Sequence, residues 1–203
     1  MSYNDELQEG NSMKKFAAII SRLFDPINVF AVVAIIVVGR SSMPPGAMTR
    51  FFVVLFFGMF LPPLAFLLWA IKTRRVSNWD LTNRRQRVRA LVVFLGLLGV
   101  DFILIQMFGN AYLVQLFLFF FFWFAGFFAI TLFWKISGHT STLTLASLFI
   151  IQWFGWALWP ILLTIPLVSW ARVKRKNHTV AQVVAGVLYS VSFIGLMRLT
   201  GII

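Results

Sequence analysis

The chain has no cysteine, so it can form neither a disulfide nor a thiolate metal site, although this leaves its compartment open. Acid is scarce as well: six Asp and Glu stand against 18 Lys and Arg, and there are only two histidines. Charged residues of either sign make up 12% of the chain, whereas 60% of it is hydrophobic and the mean hydropathy is +0.88. With 24 phenylalanines and eight tryptophans in 203 residues, a soluble domain could not hide the apolar surface, and the chain reads as an integral membrane protein. The net charge of +12 could suit a nucleic acid. The basic residues lie between apolar segments, however, which points to the bilayer and its anionic headgroups and away from nucleic acid.

Residues 1–12 are polar and acidic and read as a flexible tail, leaving 13–203 as one transmembrane domain. Lys14–Phe24 mixes basic and apolar residues as an interfacial helix does. Asp25-Pro26 interrupts the first apolar run and no small-residue cleavage site is clear, so no signal peptide is read. Ile27–Gly39 is short for a bilayer that needs about 20 residues, and it spans only with tilt or help from its flanks. Pro44-Pro45-Gly46 marks a turn. Phe51–Ile71 is a full-length span, with a kink expected where Pro62-Pro63 removes two amide donors. The polar stretch Lys72–Arg89 leads to two further spans, Val88–Phe108 and Ala111–Trp134, joined by a tight Gly109-Asn110 turn. Thr140–Leu158 and Pro160–Trp170 read as a helical hairpin broken at Trp159-Pro160, and Thr179–Met197 closes the chain. The expected fold class is all-α, a bundle of six to seven transmembrane helices with no internal repeat.

If these helices alternate in direction, segments 72–89, 135–139 and 171–178 share one side of the membrane, and both histidines lie on it. Fifteen Lys and Arg fall on that side and three, Arg40, Arg50 and Arg198, on the other. The positive-inside rule then puts the histidine side in the cytoplasm, in a plasma or inner membrane.

His139 lies in KISGHTST and His178 in RVKRKNHTVAQ, each at a junction between apolar stretches. Near-neutral titration suits a histidine to proton transfer, and neighbouring cations suit an anionic substrate such as a phosphate. Arg172-x5-His178 resembles the third motif of the type 2 phosphatidic acid phosphatase (PAP2) superfamily, Ser-Arg-x5-His-x3-Asp. Ser137-Gly138-His139 resembles the second, Pro-Ser-Gly-His. The resemblance covers residues 75–200 or so and implies a PAP2-like membrane domain with its active site at one membrane face. It implies a lipid phosphatase in which His178 attacks phosphorus and forms a phosphohistidine, while His139 protonates the leaving alkoxide and later activates water. Arg172 and the Ser137-Gly138 backbone would hold the phosphate oxygens. The substrate would be a lipid phosphomonoester or pyrophosphate: phosphatidic acid, phosphatidylglycerophosphate or a polyprenyl pyrophosphate. No metal or other cofactor is implied, and Asp80, the single acid in the three segments, could not hold Mg²⁺ alone.

Two positions depart from the family pattern. Its first motif, Lys-x6-Arg-Pro, aligns with Asp80-x6-Arg87-Val88. Arg87 then serves as a phosphate ligand, and Arg84 or Arg85 can supply the cation that Asp80 cannot; Asp80 itself can cap the following helix or pair with Arg84. Gln182 stands where the third motif has aspartate. One helical turn from His178, its amide oxygen can accept the imidazole N–H and fix the tautomer, without adding charge. In the Ser-His-Asp template an amide at the aspartate position costs about 10⁴ in rate, so a slower enzyme is one expectation. A PAP2-like phosphotransferase and a lipid-phosphate binder without turnover remain the alternatives. Other residues have simpler readings. Lys174, Arg175 and Lys176 suit lipid headgroups, and His178 or His139 alone could be an interfacial or helix-start residue. Asp101, inside an apolar span, suits a buried hydrogen bond to Gln106, Gln115 or an indole. Phe117–Phe122 suits lipid or packing contact, or an acyl-chain groove.

Overall fold

The computed structural model of the chain describes residues 3–199. Residues 1–2 of the expected tail and 200–203 of the expected membrane domain lie outside them. Among the described residues the chain is all-α, without strands. Its helices are α1 (Tyr3–Leu23), α2 (Pro26–Gly39), α3 (Pro45–Leu55), α4 (Leu61–Lys72), α5 (Arg84–Phe108), α6 (Ala111–Phe133), α7 (Gly138–Phe154), α8 (Thr164–Lys174) and α9 (Val180–Leu199). A π turn, Phe56–Phe60, links α3 to α4, and a 3₁₀ segment, Trp156–Leu163, leads into α8. Six helical stretches among the described residues are long and apolar enough to cross a membrane. Large hydrophobic side chains such as Phe133, Met107 and Val180 are exposed on them, as an integral membrane protein requires.

The structure redraws several expected boundaries. The short run Ile27–Gly39 does not stand alone: α2 follows α1 across the two-residue break Phe24-Asp25, the two together supplying the apolar stretch Ser12–Gly39, and α1 reaches back to Tyr3 through the polar segment expected as a tail. The Pro62-Pro63 disturbance appears one turn early, as the π turn at 56–60. Two prolines cannot donate to the carbonyls of residues 58 and 59, and a wider turn takes up the mismatch. The hairpin breaks at Gly155 and not at Trp159-Pro160. Gly155 has φ 93°, a conformation that costs glycine little, and it ends α7 cleanly. Pro160 sits inside the 3₁₀ segment. α5 starts at Arg84 because Asn83, and not Asp80, caps it, its side-chain oxygen accepting from the amides of Arg85 (2.9 Å) and Gln86 (3.3 Å).

Contacts divide the chain into two units, the first comprising residues 1–30 and 136–203 and the second residues 31–135. In the first, α1 packs on α8, with Ala17 and Ile20 buried against Leu143, Val168 and Ala171. α7 and α9 pack closely through small and hydroxylated residues. Thr140 Oγ1 donates to the Val183 carbonyl (3.1 Å), and the Ser141 and Ser190 hydroxyls lie 3.0 Å apart. A methyl group on Gly186 would stand 2.7 Å from the Ser137 carbonyl, so only glycine allows this approach. In the second unit, α5 and α6 pack through their aromatic faces. Phe117 stacks on Phe102 and Phe121, and helical period splits the phenylalanine run, with Phe117 and Phe119 buried and Phe122 exposed.

Candidate functional site

The first unit gathers both histidines, Arg172, Gln182 and Ser137 around the ends of α7, α8 and α9. The chain leaves α8 through a Schellman turn. The amide of Lys176 donates to the Val173 carbonyl (2.8 Å), that of Asn177 to the Arg172 carbonyl (3.1 Å), and Lys176 adopts φ 57°. The His178 amide also points at the Arg172 carbonyl (3.4 Å). The five-residue spacing between Arg172 and His178 is therefore the length of a helix C-cap, which folds the histidine back beside the arginine. Both side chains are buried, Arg172 completely.

α9 then opens with a capping box. The Thr179 hydroxyl accepts from the Gln182 amide (3.3 Å), and Gln182 Oε1 accepts from the Thr179 amide (3.2 Å). The same Oε1 lies 3.2 Å from His178 Nδ1. A backbone amide can only donate, so the atom facing it is the oxygen of Gln182. An oxygen acceptor opposite Nδ1 requires that Nδ1 carry the proton. The lone pair of neutral His178 is thereby held on Nε2, the tautomer a nucleophilic imidazole needs.

His139 is the second residue of α7 and buried. The preceding Ser137 caps the helix, its hydroxyl accepting from the Thr140 amide (3.4 Å), and its own amide donates to the Gln182 carbonyl (3.0 Å). Ser137 thus ties the start of α7, where Gly138 is the first helical residue, to the start of α9. His139 Nε2 lies 3.5 Å from Arg172 Nη1 and 3.7 Å from Asp25 Oδ2. Arg172 is the hinge of the cluster, with its backbone toward His178 and its guanidinium toward His139. Lys174 and Lys176 are exposed, as headgroup contacts would be.

Sequence reasoning missed Asp25. It had been read as an interruption of an apolar run, and the available signal was a carboxylate before proline inside a hydrophobic segment. The first-motif residues belong to the second unit. There, Arg87 is buried and its guanidinium donates to the Leu81 (3.2 Å) and Asp80 (3.4 Å) carbonyls. Arg84 Nη1 donates to the Leu132 (2.6 Å) and Phe133 (3.0 Å) carbonyls, closing the C-terminus of α6. Asp101 is buried in α5, its Oδ1 near the backbone of Gly58 in the π turn. Compared with protein-family models, curated proteins and solved structures, the chain finds no match in any of the three.

Proposed function

We propose that the protein is a membrane lipid phosphatase of the PAP2 kind, working through a phosphohistidine on His178. The observation that carries the reading is the Gln182 oxygen shared between the Thr179 amide and His178 Nδ1, which keeps the nucleophilic lone pair on Nε2. In the first step Nε2 bonds to phosphorus, and the P–O bond breaks with its electron pair leaving on the lipid oxygen. That oxygen takes a proton from His139. In the second step water attacks phosphorus, gives its proton to His139, and the P–N electrons return to Nε2. Arg172 neutralises charge on the equatorial oxygens. The residues used are side chains of this chain alone, and the basic, histidine-bearing side faces the cytoplasm by the positive-inside rule.

The test is phosphate release in detergent with EDTA from phosphatidic acid, phosphatidylglycerophosphate and a polyprenyl pyrophosphate, for wild type, His178→Ala and His139→Ala. Release that disappears in the His178 variant supports the reading, and release unchanged in that variant refutes it. A second reading has one observation in its favour: the Thr179–Gln182 capping box accounts for Gln182 without catalysis. A lipid-phosphate binder would retain these lipids and release nothing.

A further inference from the structure

The two neighbours of His139 Nε2 favour opposite protonation. Arg172 can only donate, so its approach at 3.5 Å needs a lone pair on Nε2. The Asp25 carboxylate can only accept, and its Oδ2 at 3.7 Å is beyond a hydrogen bond but within ion-pair reach of a protonated Nε2. Asp25 is held firmly in place. Its Oδ1 accepts from the Ile27 amide (3.0 Å) and its carbonyl from the Val29 amide (3.0 Å), which makes it the N-cap of α2. Asn28 Nδ2 donates back to the Arg22 carbonyl (2.9 Å), bracing the elbow between α1 and α2. The packing of α1 on α8 sets that elbow beside the helix that carries Arg172. Capping uses only Oδ1, and serine or asparagine would cap as well. What a carboxylate adds is a charge, and Oδ2 delivers it to His139.

We propose that Asp25 is the positioning carboxylate of His139. It holds the protonated imidazole through Nε2 and leaves proton exchange with the leaving group to Nδ1. Its part in catalysis rests on the phosphatase reading, but the pairing itself does not. The third-motif position, occupied by Gln182, supplies no charge. The site's carboxylate therefore comes from the opposite end of the chain and serves the other histidine. Phosphate binding completes the arrangement. An anion draws the Arg172 guanidinium, and Nε2, no longer opposed by that cation, takes a proton and turns to Asp25. Of the packed elements, α1 also carries Asp5, Glu6, Glu9, Lys14 and Lys15 and ends on exposed Arg22, α8 carries Lys174 and leads into Arg175 and Lys176, α9 carries Arg198 in its last turn, Lys135 precedes α7, and the 3₁₀ segment is uncharged.

The test uses full-length protein in detergent with isotope-labelled histidine, where only two imidazoles can appear. Asp25→Asn keeps the Ile27 cap and removes the charge. In this variant His139 is expected to titrate about one pH unit or more below wild type, with His178 unchanged. The alkaline limb of the pH–rate profile for phosphate release moves down with it, because His139 must be protonated to act as acid. If Asp25→Asn does not fold, Asp25→Ser keeps the cap and gives the same reading. An unchanged His139 midpoint in the uncharged variant overturns the proposal, and Asp25 is then a helix cap alone. If wild type releases no phosphate, the phosphatase reading fails, and the titration still decides the pairing.

Discussion

Replacing Gln182 by leucine tests how the proposed nucleophile, His178, is held. The side chain touches His178 Nδ1 at 3.2 Å and the Thr179 amide at 3.2 Å. In the proposed mechanism the imidazole gains positive charge as Nε2 bonds to phosphorus, and the Nδ1–H to oxygen bond becomes charge-assisted. Hydrogen bonds to charged groups contribute about 1.5–3 kcal/mol, so Gln182→Leu is expected to lower kcat by about 10- to 150-fold. KM changes little, because this interaction tightens in the transition state. The variant also loses half of the capping box, about 1 kcal/mol of stability, so a control is needed. Thr179→Ala removes the other half of the box without touching His178 and is expected to lose similar stability at nearly wild-type kcat. Gln182→Asp keeps the acceptor, adds charge and is expected to match or exceed wild type. The assay is initial-rate phosphate release in micelles. The reasoning is refuted if Gln182→Leu keeps the wild-type kcat, or if Thr179→Ala loses as much.

Two further changes probe the scaffold. Gly186→Ala puts a methyl 2.6 Å from Thr140 Oγ1 and 2.7 Å from the Ser137 carbonyl. Because the backbone cannot yield, α7 and α9 must part, at a cost of about 1–3 kcal/mol read as a lower melting temperature in detergent. An unchanged melting temperature would contradict the packing described. Lys176→Gly relieves a non-glycine residue at φ 57° in the Schellman turn and is expected to stabilise the protein by about 1 kcal/mol without slowing it. A less stable variant would mean that the turn is not strained there.

The membrane class was legible because composition alone forbids a soluble core. The Arg172, His178 and Gln182 relation was legible because each link is local, a helix C-cap followed by one helical turn. Asp25 was not, since no periodicity connects a residue at the α1–α2 elbow with one at the start of α7; only the packing of α1 on α8 does. Pro160 was misleading as a break, because a 3₁₀ segment tolerates it where a glycine nearby can take positive φ. Arg84 looked like a spare cation, and its engagement with the α6 carbonyls depends on a contact far along the chain. Asn83 displaced Asp80 as the α5 cap because its side chain reaches both the Arg85 and the Gln86 amides.

The central claim is that His178 becomes phosphorylated during turnover. The direct measurement is to quench wild type during hydrolysis of a lipid carrying labelled phosphate, under alkaline conditions that preserve phosphohistidine, and to map the label. Label on the peptide containing His178, absent in His178→Ala and accumulating in His139→Ala as the second step slows, is the predicted result. Steady hydrolysis with no label on that peptide, or the same label in His178→Ala, would contradict it.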